Sequence, residues 1–231
     1  QTLFLQNAGA NAYNVAVGYQ AGAAVTTGVK NVVVGSLALD AADTGKENTA
    51  IGHQALTSDT KGQRNVAVGA LALGTQNFTS ATNSYNIGIG YSAGGALTTG
   101  QSNTLIGALA GDAMTTAGSS VAVGRDALGS VTEGGQNIGI GYGALRDTTT
   151  ASNNVAVGYL ALEENITGHS NIAIGFQALE NPDTEDHNLA IGYEALGGAI
   201  AGGEFNVAIG NYSLDALTSA DHCTAVGYQA G

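Results

Sequence analysis

The stretch Asn14-Val15-Ala16-Val17-Gly18-Tyr19-Gln20-Ala21-Gly22 returns along the chain as variations on one phrase, among them Asn48-Thr49-Ala50-Ile51-Gly52-His53-Gln54-Ala55-Leu56 and Asn154-Val155-Ala156-Val157-Gly158-Tyr159-Leu160-Ala161-Leu162. Its central glycine recurs at Gly18, Gly35, Gly52, Gly69, Gly90, Gly107, Gly124, Gly141, Gly158, Gly175, Gly192, Gly210 and Gly227. The gaps are 17 residues, except for 21 between Gly69 and Gly90 and 18 between Gly192 and Gly210. A unit of this length is too small to bury its own apolar face and must stack on its neighbours, which is the signature of a solenoid. The expected fold is all-β, a parallel β-roll or β-solenoid of about 13 coils over residues 14–231, with 1–13 as a partial N-terminal coil. Insertions fall near 75–85 and 197–205, in the variable half, where they would bulge from one edge. At the usual strand spacing of ~4.8 Å, the coils would make a rod of roughly 60 Å.

Counting from the residue four before each glycine, position four is Val or Ile in every copy, and position two is Val, Ile or Leu except at Thr49, Thr104 and Thr224. Residues two apart on a strand share a face, so each copy opens with a short strand. The β-branched positions two and four are expected to look into the core. Position three is mostly Ala or Gly, with Val33 and Leu105 as exceptions, and would then face outward. A small apolar outer face on every strand implies close packing against another chain, hence an oligomer.

Position five is glycine throughout, as a bend with positive φ or a very close backbone approach requires. Position eight is Ala in all copies but one, where Ser213 stands, and position nine alternates between Leu and Gly, with Leu filling the second wall of the core. Position one is Asn at Asn14, Asn31, Asn48, Asn65, Asn86, Asn103, Asn137, Asn154, Asn171, Asn188 and Asn206. Amides stacked in register form a hydrogen-bonded ladder along the axis. Thr-Gly pairs such as Thr27-Gly28 and Thr44-Gly45 mark the return turns.

Charge narrows the partners. The 231 residues carry a formal net charge of -12, which argues against phosphate-mediated binding of DNA or RNA. No base follows Arg146, while eleven acids do, so one end of the chain is strongly acidic. The single cysteine, Cys223, forms no intrachain disulfide. No apolar run is long enough to span a bilayer and no signal peptide precedes the repeats. Because the chain opens on Gln1 and ends partway through a repeat, it reads as a fragment or processed product of something longer.

No catalytic or cofactor constellation is present. The calcium-binding nonapeptide is missing, His53, His169, His187 and His222 are scattered, and no nucleophile elbow or phosphate loop occurs. The expectation is a non-enzyme with no cofactor and no metal. An acidic knot at Asp183, Glu185, Asp186 and His187 reads as a solvated turn, with a hard-cation site as the alternative. Position six is aromatic at Tyr19, Tyr91, Tyr142, Tyr159, Phe176, Tyr193 and Tyr228. Such a column either shields the turn by stacking or offers ring faces to the sugars of a receptor.

The phrase Asn14 to Gly22, its variant Asn48 to Leu56 and the intervening Thr-Thr-Gly turns resemble repeats of phage and large-virus tail-fibre proteins. They are also similar to the YadA-like (Hep/Hag) head repeats of trimeric autotransporter adhesins, whose unit is shorter. The resemblance covers residues 14–231 and implies a left-handed parallel β-roll assembled as a homotrimer. It also implies attachment to a glycan or protein receptor on a host surface, with no membrane insertion in this segment. A virion tail fibre is the expected setting, and a bacterial surface adhesin is the alternative. Ice binding is a more distant alternative, disfavoured because Thr sits mainly in Thr-Gly turns rather than alternating along a strand.

Overall fold

The computed structural model describes residues 2, 3, 5, 7, 11–182, 184–198 and 202–231. Within them it contains strands and turns and no helix. The chain forms two compact units, Gln1–Gly118 and Ser119–Gly231, and no change in the repeat announces the boundary. In the first unit the strands are β1 (Val15–Val17), β2 (Val32–Val34), β3 (Thr49–Ile51), β4 (Gly62–Gln63), β5 (Val66–Val68), β6 (Thr82–Asn83), β7 (Ile87–Ile89) and β8 (Thr104–Ile106). In the second they are β9 (Val121–Val123), β10 (Ile138–Ile140), β11 (Val155–Val157), β12 (Ile172–Ile174), β13 (Leu189–Ile191), β14 (Val207–Ile209) and β15 (Thr224–Val226).

Each unit is a parallel β-solenoid. Within each unit successive three-residue strands pair in parallel with the equivalent strand one coil on, so that Val15 lies beside Val32, and Ile138 beside Val155. Where the longer gap intervenes the register is kept, with Val66 beside Ile87. The insertion near 75–85 is anchored where β6 pairs in parallel with β4 and where Phe78 is 5% exposed, while Thr79, Ser80 and Ala81 stand exposed.

The facing of the strands is the reverse of the sequence expectation. Position three is sealed inside, with Val33, Ala67, Leu105, Ala122, Ala156 and Ala173 all at 0% exposure. Positions two and four lie on the outer face, where Ile138, Ile140, Ile172 and Ile174 keep 37–39% of their surface. The reason is the width of the lumen. A Cβ added to Gly88 would lie 2.8 Å from Leu73 Cγ and 3.1 Å from the Ala93 carbonyl oxygen, so against a position-nine Leu even a methyl group is crowded, whereas Leu105 fits where Gly94 and Gly111 stand at position nine. The opposite wall is position nine, as expected, with Leu39, Leu56, Leu128, Leu145, Leu162 and Leu179 fully buried. Ala at position eight is buried beside them.

A third core column, at position twelve, escaped the sequence reading because its residues vary in polarity. Val25, Leu97, Met114 and Val131 are fully buried there, as are Gln76, Thr148 and Asn165, with Asp59 at 1%. Asp59 and Gln76 satisfy one another, since Gln76 Nε2 donates to Asp59 Oδ2 at 2.6 Å. Asp59 Oδ1 also accepts the Gly62 N–H at 2.9 Å.

The glycine and asparagine columns bind successive coils of a unit to one another, the asparagines through their side-chain oxygens and the next coil's backbone N–H. Gly18 has φ +129°, and a Cβ on it would lie 2.6 Å from the carbonyl oxygen of Gly35 in the next coil. Asn14 Oδ1 accepts the Asn31 N–H at 2.7 Å, and Asn31 Oδ1 accepts the Asn48 N–H at 3.0 Å. Most of these amides also reach across their own coil, as Asn31 Nδ2 does to the Gly45 carbonyl at 2.9 Å, which anchors the Thr-Gly turn, while Asn65 Nδ2 instead donates to Asn48 Oδ1 at 3.2 Å. The coil closes through residues in the left-handed region that are not glycine, including Leu37 (φ 58°), Leu39 (φ 47°) and Glu47 (φ 58°). Such backbone is costly for L-residues and persists where its surroundings over-determine it. Leu39 is held by its N–H bond to the Ala55 carbonyl, one coil on.

Candidate functional site

Because position three looks into the lumen, the β-branched residues on either side of it are turned outward. They form an aliphatic strip along each unit, with no charged residue at positions two or four. The strip is broken only by Thr49, Thr104 and Thr224. Parallel sheets are ordinarily covered on both faces, and a strand exposing Ile on every second residue departs from that pattern.

The aromatic column runs beside this strip, one residue past the glycine bend. Tyr142, Tyr159, Phe176 and Tyr193 stack in sequence with ring centroids 5.3, 5.2 and 5.0 Å apart and interplanar angles of 13°, 7° and 4°. The Arg125 guanidinium lies 5.9 Å from the Tyr142 centroid at one end. Tyr212 tilts against Tyr193 at the other and meets Tyr228 edge-on. The ring faces are therefore turned to one another, and the edges and hydroxyls meet solvent. The Tyr193 hydroxyl is pushed up to about 12, first by its hydrogen bond with Glu194 and then by burial and the Glu194 charge. Tyr19 and Tyr91, 65% and 57% exposed, stand apart from this stack. Position six carries Ser36 one coil after Tyr19, and Ala70 and Ala108 on either side of Tyr91.

A second aromatic column, missed in the sequence, stands at the residue before position one. His187 stacks on Phe205 at 4.8 Å, and Phe205 on His222 at 5.2 Å. Members of the expected acidic knot are thereby dispersed: His187 stacks, Glu185 accepts the Gly202 N–H at 2.7 Å and Asp186 accepts the His169 N–H at 2.5 Å. Asp183 lies outside the described residues. Among the described residues no group of three His, Cys, Asp or Glu side chains could hold a metal ion. Burial pushes the Glu163 carboxyl above its ordinary value, opposed by its ion pair with Arg146.

The first unit also holds a groove of about 330 Å³ bordered by Gln54, Thr57, Ser58, Leu71, Thr75 and Ser92. Threonines of the return turns use their hydroxyls within the fold, as Thr98 Oγ1 does on the Thr115 carbonyl at 2.9 Å. Among the described residues no helix is long and apolar enough to cross a membrane. Comparison with known protein families, with characterised proteins and with solved structures finds no match to this chain.

Proposed function

We propose that this chain is a structural segment of an attachment fibre, assembled as a homotrimer through its aliphatic strip, in the setting of a viral tail fibre that reaches a host surface. The observation that carries the reading is the uncovered row of Val and Ile at positions two and four. Three-residue strands about 10 Å long, spaced ~4.8 Å, give a strip of about 600 Å² over the two units together. That area is at the upper end of what a monomer leaves exposed, and it approaches the ~800 Å² each partner contributes to a standard interface.

The occupant that matches such a strip is another copy of the same chain. Only a surface with the same axial repeat places an aliphatic group against an aliphatic group in every coil. In a chain of net charge -12, the uncharged strip is also where like-charged copies approach at least electrostatic cost. Three strips turned toward a common axis cover one another without leaving an open side, in keeping with the trimer that the tail-fibre and autotransporter resemblance implies. The role is mechanical and adhesive rather than catalytic. Receptor contact, to a glycan or a protein, falls on the outward aromatic edges.

Light scattering on the purified chain is expected to return about three copies. A stable monomer at micromolar concentration overturns the assembly. An antibody against the second unit is expected to decorate fibres on intact viral particles. Labelling confined to a bacterial outer surface would assign the chain to an adhesin, and labelling of neither overturns attachment.

A further inference from the structure

We infer that Thr49, Thr104 and Thr224 fix the axial register of the associated copies, an inference that rests on the assembly proposed above. All three sit at position two, on the outward face of β3, β8 and β15. They replace Val, Ile or Leu on an otherwise aliphatic strip. Among the described residues none of the three hydroxyls is hydrogen-bonded within its own chain, in contrast to the return-turn threonines. A hydroxyl pressed against a neighbour's Ile or Val gives up water for nothing, whereas a hydroxyl pressed against another hydroxyl gains a partner.

An aliphatic strip alone is nearly indifferent to sliding, because a shift of one coil replaces Val by Ile and costs little. The threonines break that degeneracy by their spacing. In the first unit Thr49 and Thr104 fall three coils apart, and in the second Thr224 stands on the last strand, β15. Two parallel copies of the first unit in register bring both of its threonines face to face with their equivalents, and the same alignment of the second unit pairs Thr224. A slide of three coils in the first unit matches one hydroxyl, and every other parallel slide of that unit matches none. An antiparallel alignment matches two only where Thr49 meets Thr104. Polar residues spaced in this way do for a stacked roll what a single buried polar residue does for a coiled coil, selecting one alignment among many of similar apolar contact.

The test uses a Cys223→Ser background with a spin label at Thr116→Cys, an exposed position in a return turn away from the strip. Dipolar distance measurement on the otherwise unaltered chain is expected to give one narrow inter-copy distance. The triple variant Thr49→Val, Thr104→Val, Thr224→Val is expected to remain associated by light scattering while that distribution broadens and extends to longer distances. The triple serine variant, which keeps the hydroxyls, is expected to restore the narrow distance. A valine variant that keeps it overturns the inference while leaving the assembly intact, as does a broad distribution in the threonine-bearing chain. A threonine-bearing chain that scatters as a monomer overturns the assembly itself and the register with it.

Discussion

Leu105 and Gly94 exchange volume across the lumen: a Cβ on Gly94 would lie 2.7 Å from Leu105 Cδ1. Gly111, in the same wall, stands at 2.9 Å from Leu105 Cδ2 by the same measure. The usual arrangement, Ala at position three opposite Leu at position nine, is here inverted.

Leu105→Ala alone should open a cavity and cost about 2–5 kcal/mol, while Gly94→Leu alone should overpack and cost about 1–3 kcal/mol. The double variant recreates the arrangement of the neighbouring coils and should recover much of the loss. Denaturant unfolding of the four proteins checks this as a double-mutant cycle. Costs that simply add would mean that the two side chains do not share one space.

Ile140 and Ala156 should respond to charge in opposite ways. Ile140 is 39% exposed on the outer strip, so Ile140→Asp should leave the coil folded by circular dichroism and split the proposed assembly by light scattering. Ala156 is 0% exposed, and Ala156→Arg should disrupt the coil itself, with loss of the cooperative thermal transition. The reverse pair of outcomes would restore the opposite facing of the strands.

Thr148 Oγ1 is buried without a hydrogen-bond partner, and Asn165 Oδ1 one coil later is in the same condition. Val131 occupies the equivalent place one coil earlier with 0% exposure. Thr148→Val removes an unsatisfied hydroxyl at nearly constant shape and should stabilise the second unit by about 1 kcal/mol. Its thermal midpoint should rise, and an unchanged or lower midpoint would show that the hydroxyl has a partner in solution.

Burial pushes the Asp59 carboxyl above the ordinary aspartate value of 3.8, against the opposing hydrogen bonds from Gln76 and Gly62. The folded chain therefore takes up this proton at a higher pH than the unfolded chain does. Its contribution to stability rises as pH falls through the raised folded value and levels off below the unfolded one. The stability difference between the parent and Asp59→Asn should shift toward the parent over that acid window, measured by urea unfolding. A difference that stays flat from neutral pH to 3.8 would show that burial does not dominate the site.

The repeat length, the strand positions and the columns headed by Gly18 and Asn14 were legible because each answers a demand of the backbone, which only glycine or a short amide meets. The facing of the strands was not. In Val155-Ala156-Val157 both faces are apolar, and the alternation that separates inside from outside in a water-facing sheet is missing. What decides is the bore of the coil, a property of the closed loop that no single strand carries. The left-handed Leu37 and Leu39 were likewise hidden, since neither side chain favours that backbone. The position-six column was visible as a spacing of Tyr142, Tyr159 and Phe176, but only the ring geometry reveals that these faces are turned to one another.

Within each unit a position-five glycine such as Gly18 or Gly141 is fitted against the carbonyl of the equivalent glycine one coil on, so successive coils of a unit offer the same socket. Loss or gain of a few codons would shear that fit, whereas loss or gain of one complete unit would rejoin like to like. Recombination between repeats can therefore lengthen or shorten the gene for such a chain in whole-coil steps. The number of coils becomes a heritable trait that varies by whole units rather than by point substitution.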